Sequence, residues 1–207
     1  LSLFYKNLIS QNNDLWYFSN ITPLAVDFSN GPPVSIPFNG NSQISSMECT
    51  AVIKDDNGDL LFYTQGTKLF DANHQLVPNG DGLYGDKSSM QGALFVPLPG
   101  NSDIIYLFTT NRQAGWGNAT HAGMCYSVID RTLNNGTGDI PANEKNITLV
   151  DSTAEKLTAV RHSNGRDIWI ITVGYNSNKK YAFLLRPDGL CSPVITETGT
   201  VHYGGTN

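Results

Sequence analysis

Charged residues are scarce in this chain, and basic residues are the scarcest. Of its 207 residues only 15% are charged, 13 are Lys or Arg, and the formal net charge is −5. Phosphate binding requires clustered Lys and Arg side chains, and Lys179-Lys180 is the one basic pair. The composition therefore excludes a typical nucleic-acid-binding protein, and the sequence predicts no nucleic-acid partner.

Long apolar runs are also missing. No stretch approaches the roughly 20 apolar residues that a membrane-spanning helix needs, so the sequence predicts no membrane span. The first ten residues begin with an apolar run, which Lys6 interrupts. Two interpretations stay open: residues 1–11 are the remnant of a secretory signal peptide, or they form an ordinary first strand or short helix.

Cysteine is rare and follows no metal-binding pattern. Cys49, Cys125 and Cys191 are odd in number and widely spaced, without the CxxC or Cys/His spacing of zinc sites. The favoured interpretation is three buried free thiols. One disulfide with one spare thiol stays open for an oxidising compartment. No metal site and no cofactor are predicted.

A repeat runs through the chain in place of helical periodicity. Each unit consists of a strand, a tight turn with an Asp, and a strongly apolar strand that ends near Thr. Asn-Gly in two of the turns favours type I′ hairpins, and an apolar strand without alternation should be buried on both faces. The three units occupy residues 48–64, 91–109 and 156–172.

Each unit continues into a second hairpin, which predicts a four-stranded antiparallel blade. The fold class is therefore all-β, a β-propeller-like repeat that is incomplete, with about three blades and a partial N-terminal one. Residues 12–207 are expected to form this domain. Because closure needs roughly four to eight blades, we expect the native protein to continue. The predicted units cover residues of about 12–46, 47–89, 90–153 and 154–207.

Several motifs resemble the N-terminal propeller-like region of large exported surface proteins of Bacteroidetes-type bacteria, a group that includes gliding-motility-associated and PKD-repeat adhesin-like proteins. The resemblance implies a signal peptide, export to the cell surface or medium, and downstream domains on the same polypeptide. It brings no catalytic residues. The motifs that carry it are residues 16–18 and 26–28, residues 56–64 and 73–80, and the most specific run, residues 155–165 with residues 174–178.

The sequence contains no recognisable catalytic motif. It lacks a Gly-x-Ser-x-Gly elbow and a phosphate-binding loop, and its four His residues are scattered. Residues 55–59 resemble a calcium loop, but Gly and Glu do not stand where an EF-hand needs them, so a hairpin turn is the better interpretation. We predict no catalytic residues.

The best candidate for binding is an inserted Gly-rich loop at residues 111–121. Arg112, Trp116 and His121 are its candidate ligand-binding residues, because long loops on rigid β-scaffolds often carry recognition and an exposed Trp can stack on a sugar or anchor a partner. The alternative is that Trp116 packs back onto the sheet.

Three functions follow, in order of preference. The first is a non-catalytic, adhesion-related binding or scaffold module, at the cell surface or secreted, with a glycan or protein partner. The second is a propeller-type hydrolase or lyase with an axial site completed by further blades. The third is a structural spacer of a long adhesin. Converging His, Asp or Glu side chains near the axis would favour the enzyme, and the spacer predicts no concave pocket.

Overall fold

The all-β class is confirmed by a computed structural model of the chain. The structure describes residues 14–18, 24–29, 31–37, 43–112 and 123–202. Within these ranges the only helical segments are two short 3-10 turns, Asn134–Gly136 and Ala142–Glu144, which lie in the connection between two strands of one sheet.

The described strands form four antiparallel sheets, each built from one consecutive stretch of chain. Sheet 1 contains β1 (Leu15–Phe18), β2 (Leu24–Asp27) and β3 (Val34–Pro37). Sheet 2 contains β4 (Ala51–Lys54), β5 (Leu60–Thr64), β6 (Lys68–Asp71) and β7 (Leu76–Asp81). Sheet 3 contains β8 (Ala93–Leu98), β9 (Asn101–Thr110), β10 (Met124–Asp130) and β11 (Ile147–Val150). Sheet 4 contains β12 (Thr153–Arg161), β13 (Ile168–Gly174), β14 (Ser177–Arg186), β15 (Gly189–Leu190) and β16 (Val194–His202).

The three recurring sequence units lie in three different sheets. Their first strands are β4, β8 and β12, and their apolar second strands are β5, β9 and β13. Sheet 4 departs from the predicted four strands, because its return strand is split. β15 and β16 both pair with β14, and the residues between them include Pro193, which cannot donate to a ladder.

Consecutive sheets pack face to face. Tyr17 of sheet 1 packs with Tyr63 and Phe70 of sheet 2. The opposite face of sheet 2 shares a larger core with sheet 3, and the other face of sheet 3 shares a third core with sheet 4. The chain therefore forms a stack in sequence order, with sheets 2 and 3 covered on both sides.

The second strands show why both faces must be covered. In β5, Phe62 points to sheet 3 while Tyr63 points to sheet 1. In β9, Leu107 points to sheet 2 while Phe108 points to sheet 4. All four side chains are at most 3% exposed, so the prediction of burial on both faces is confirmed for β5 and β9. For β13 it is wrong, because Trp169, on the face turned away from sheet 3, is only half-buried.

The first strands of the sheets meet at one edge of the stack. β4 lies against both β1 and β8, and β8 lies against β12. We call this region the narrow edge. Each of these strands is the edge strand of its own sheet. The sheets are therefore closest together at the narrow edge and lie further apart away from it.

β1 of sheet 1 lies beside β4 of sheet 2. Asp14, just before β1, pairs with Lys54 at the end of β4 at 3.0 Å, while Tyr17 stacks on Tyr63 further back along sheet 2, with ring centroids 4.9 Å apart. β1 therefore runs antiparallel to β4, as β5 does. Asp14 precedes the apolar strand β1 as Asp59 precedes β5, a correspondence that the alignment of the units did not include, although residues 12–46 were expected to form a partial blade.

The type I′ prediction for the Asn57-Gly58 turn is wrong. Only Gly58 has a positive φ, +89°, whereas a type I′ turn needs two such residues. The Asp55 carboxylate instead accepts hydrogen bonds from the backbone N–H groups of Asn57 and Asp59, both at 2.9 Å. Burial alone would raise the pKa of Asp55, but these hydrogen bonds outweigh it and the pKa is lowered.

The corresponding turn of sheet 4 depends on Asp167, which is 4% exposed. Its carboxylate accepts hydrogen bonds from Arg166 Nε at 2.7 Å and from Asn164 Nδ2 at 2.8 Å. The Arg166 hydrogen bond is the largest cause of the lowered pKa of this carboxyl. The ionised form therefore stabilises the folded state.

We predict that Asp167→Asn lowers the melting temperature at neutral pH and that this difference shrinks in acid. A carboxyl whose pKa is lowered by folding stabilises above its unfolded value of about 3.9, and the effect is lost as the pH falls through the folded value. Thermal unfolding between pH 7 and pH 3 measures it. Asp188→Asn, in an exposed ion pair with Arg186, is the control and should change little.

We also predict that Leu107→Ala destabilises the fold by about 3 kcal/mol, because it leaves a cavity between sheets 2 and 3. Leu133→Ala, in a residue 38% exposed, should cost less than about 0.5 kcal/mol. Denaturant unfolding compares the two variants. Equal effects would contradict the face-to-face packing of the two sheets.

Candidate ligand-binding cleft

A cleft of about 440 Å³ opens at the narrow edge, between β1, β4 and β8. Three sheets contribute to it because their first described strands converge there. Its lining combines aromatic, small aliphatic and neutral polar side chains, namely Leu15, Trp16, Tyr17, Phe18, Thr50, Ala51, Val52, Gln91, Ala93 and Leu94.

Exposed aromatic side chains of sheet 1 contribute to the lining of the cleft. Trp16 is 50% exposed and Phe18 is 45% exposed. The Trp16 ring lies 6.1 Å from the Phe18 ring and 5.2 Å from the Phe28 ring, tilted against both. The alternation of β1 sends these rings outward and Tyr17 inward, so one short strand supplies both a core residue and an aromatic surface.

Tyr17 is a structural residue and cannot act as a base. It is 4% exposed and stacks on Tyr63. Burial raises its pKa strongly, and the neighbouring Tyr63 phenol raises it further. The phenol is therefore protonated throughout the physiological range.

The polar part of the lining is uncharged. Gln91 is exposed at the start of β8, and Thr50 is half-buried at the start of β4. A Gln amide donates two hydrogen bonds and accepts two, and a Thr hydroxyl does both. None of the ten lining residues carries a carboxylate, imidazole, thiol or amine, so the cleft can bind by stacking and hydrogen bonding but holds no acid–base pair.

A close-packed junction behind the cleft fixes the starts of β4 and β8. Ser46 Oγ donates hydrogen bonds to the carbonyl oxygens of Cys49, at 2.5 Å, and Lys87, at 3.0 Å. A Cβ at Gly92 would lie 2.7 Å from Cys49 Sγ, and one at Gly66 would lie 2.8 Å from it. Glycine is thus required at position 92, just before β8, and at position 66, between β5 and β6, for these segments to approach Cys49 closely.

The structure places one of the three predicted ligand-binding residues. Arg112 follows β9, and its Nε lies 3.4 Å from Asp86 Oδ2, in the loop that leads to β8. Arg112 does not belong to the cleft lining. Trp116 and His121 lie outside the described residues, so the binding role of this loop stays a prediction.

Sequence reasoning missed the cleft, although a signal was present. Asp14 precedes the apolar strand β1 as Asp59 precedes β5, and Gln91 lies two residues before β8. What the sequence could not reveal is that the first strands converge, because this depends on contacts between sheets.

The structure contains three free thiols: Cys49 and Cys125 are buried, and Cys191 is half-buried. In the described ranges, no three His, Cys, Asp or Glu side chains come together in a way that could hold a metal ion. Nothing helical in the same ranges has the length and hydrophobicity that a membrane crossing requires.

No protein-family model, curated protein or solved structure matches the chain.

We predict that a single thiol per native chain reacts readily with a thiol reagent at pH 8. Burial, and then the Asp86 carboxylate, raises the pKa of Cys49 to about 12, and burial also raises the pKa of Cys125. Because the thiolate is the reactive form, both should react slowly, and Cys191 should account for the fast phase. Release of a chromophoric thiol counts the groups.

Cys191→Ser should abolish the fast phase, and denaturant should restore two reactive thiols in that variant. Rapid reaction of all three thiols in the native wild-type protein would contradict the close packing around Cys49.

Proposed function

We propose that the chain is a non-catalytic binding module whose cleft accommodates a neutral glycan. The observation that supports this proposal is the chemistry of the cleft lining. The described lining residues combine an aromatic surface with an uncharged amide and a hydroxyl, and they include no ionisable acid–base pair. Sugar rings have an apolar face that stacks on aromatic rings and hydroxyl groups that pair with amides. Anionic ligands are disfavoured, because the lining formed by the described residues includes no basic side chain.

The lining supports binding over the two alternatives. An axial hydrolase or lyase needs a positioned acid and base, and the described lining offers neither, so that proposal requires residues from further sheets. A pure spacer has no use for a concave surface. A protein ligand remains the second candidate, because exposed Trp and Phe side chains also anchor protein partners.

We propose in addition that the sheets are the blades of a β-propeller. Face-to-face packing of consecutive sheets, together with convergence of their first strands, supports an arrangement of blades around an axis at the narrow edge. The cleft would then open toward the axis, where propellers commonly bind ligands. The resemblance to exported Bacteroidetes-type proteins supports a location at the cell surface or in the medium and further domains on the same polypeptide.

Binding to an array of neutral oligosaccharides tests the function. Gln91→Ala should weaken binding of the best ligand about fivefold to tenfold, as expected for the loss of a hydrogen bond worth about 1 kcal/mol. Trp16→Ala should remove most of the binding, because it deletes the stacking surface. Isothermal titration and circular dichroism separate lost affinity from lost folding.

Gln75→Ala is the matched control, since Gln75 is an exposed glutamine in the turn between β6 and β7. It should bind as the wild type does. Cleavage of the glycan by the purified chain, or capture of a protein partner with no glycan bound, would overturn the proposal.

A further inference from the structure

Gln91, the residue that supplies the amide of the cleft lining, lies between two anchored residues. On its C-terminal side, the carbonyl oxygen of Gly92 accepts a hydrogen bond from the Thr110 backbone N–H at 2.9 Å. On its N-terminal side, the Met90 backbone N–H donates to Oε2 of Glu155 at 3.1 Å. Glu155 belongs to β12 of sheet 4, so a sheet that does not line the cleft holds the segment that leads into it.

This segment has few other contacts. The Met90 side chain is 66% exposed, so it adds little to the core. Ser89 is anchored, because its hydroxyl oxygen lies 3.1 Å from Thr110 Oγ1. Among the described residues, the hydrogen bond to Glu155 is the single polar contact that Met90 and Gln91 make. The position of the Gln91 backbone therefore depends on Glu155.

A bulge in β12 explains why Glu155 reaches sheet 3. Thr153 pairs with Gly174 and Leu157 pairs with Thr172, so β12 has more residues than β13 over this stretch. A bulge of this kind changes the direction of the side chains that it carries. Thr153 and Leu157 are buried, whereas Glu155 is half-buried. The bulge thus presents one carboxylate between two residues that are fixed in sheet 4.

The bulge is itself held by the core of sheet 4. Thr172 is 1% exposed, and its Oγ1 donates a hydrogen bond to the carbonyl oxygen of Lys156 at 2.8 Å. Lys156 follows Glu155 directly, so the backbone beside Glu155 has a fixed position. A continuous set of contacts therefore runs from β13 through Glu155 and Met90 to Gln91.

We propose that Glu155 is a positioning residue for the cleft, an inference that rests on the proposed function. By holding Met90, it keeps the Gln91 amide where a sugar hydroxyl can bind. Ordering a flexible side chain and its backbone on binding costs conformational entropy, and an anchored backbone reduces that cost. Sheet 4 thus contributes to affinity although it does not line the cleft.

Isothermal titration of the whole chain with the neutral oligosaccharide that binds most strongly in the array tests the proposal. Glu155→Ala should weaken binding about threefold to fivefold, less than Gln91→Ala does, because the amide is retained but less well placed. Glu155→Gln should bind as the wild type does, because its side-chain carbonyl oxygen can accept the Met90 hydrogen bond. Glu155→Asp keeps the charge but shortens the side chain, so it should behave as Glu155→Ala does.

Glu197→Ala is the matched control in the same sheet. Glu197 is an exposed carboxylate on β16, where it pairs with Lys179 at 3.7 Å. Its removal should leave the affinity unchanged. Circular dichroism and thermal unfolding confirm that each variant is folded, and Glu155→Asp provides the measurement if Glu155→Ala is not.

A double-mutant cycle shows whether Glu155 acts through Gln91. In the Gln91→Ala background, Glu155→Ala should have no further effect on affinity, because the group that it positions is gone. Equal weakening in both backgrounds would overturn the proposal. Hydrogen exchange of the Met90 amide is a readout that needs no glycan: Glu155→Ala should accelerate it at least about fivefold, and Glu155→Gln should not.

The outcomes separate this inference from the proposed function. If no neutral glycan binds the wild type, the proposed function fails and the role of Glu155 fails with it. If a glycan binds and Gln91→Ala weakens the binding, but Glu155→Ala and Glu155→Asp do not, the cleft is supported and only the role of Glu155 is overturned.

Discussion

The fold depends on one constraint: its sheets are apolar on both faces. A sheet of this kind is stable only when another surface covers each side, because exposed apolar area costs free energy in proportion to its extent. Phe62 and Tyr63 point in opposite directions from one strand, as do Leu107 and Phe108, and each pair is buried between three successive sheets. The stack follows from this demand, and no single sheet could satisfy it alone.

The same constraint determines where a ligand can bind. Because the faces are used for packing, the surfaces left to vary are the edges of sheets and the loops. At the narrow edge, glycines at positions 66 and 92 let neighbouring segments approach Cys49 closely, while Trp16 and Phe18 of β1 point away from the core. Close packing around Cys49 therefore fixes the positions of the strands that present the open, uncharged lining of the cleft.

Much of the fold could be predicted from local sequence, and the cleft could not. Alternation of apolar runs with Gly, Pro and Asn located the strands, since strand pairing between neighbours needs only short-range signals. The turn at Asn57-Gly58 was misassigned because Asp55, two residues before it, supplies the hydrogen bonds that a type I′ geometry would not need. The cleft combines strands about 75 residues apart in sequence, and no periodicity records such a contact.

The same packing requirement applies to the sheets at the two ends of the stack, sheets 1 and 4. Sheets 2 and 3 show that an apolar second strand is covered on both faces when neighbours exist, and sheet 4 has the same strand with one neighbour. The face of sheet 4 turned away from sheet 3 differs from the cleft, because it is mostly aliphatic, with Trp169 among its members, and is arranged in cross-strand rows. Aliphatic rows of this kind favour another sheet over a small polar ligand, because van der Waals packing across a wide surface needs a partner of matching shape. The narrow edge therefore offers stacking and hydrogen bonds to a ligand, whereas the outward face of sheet 4 offers a broad apolar surface.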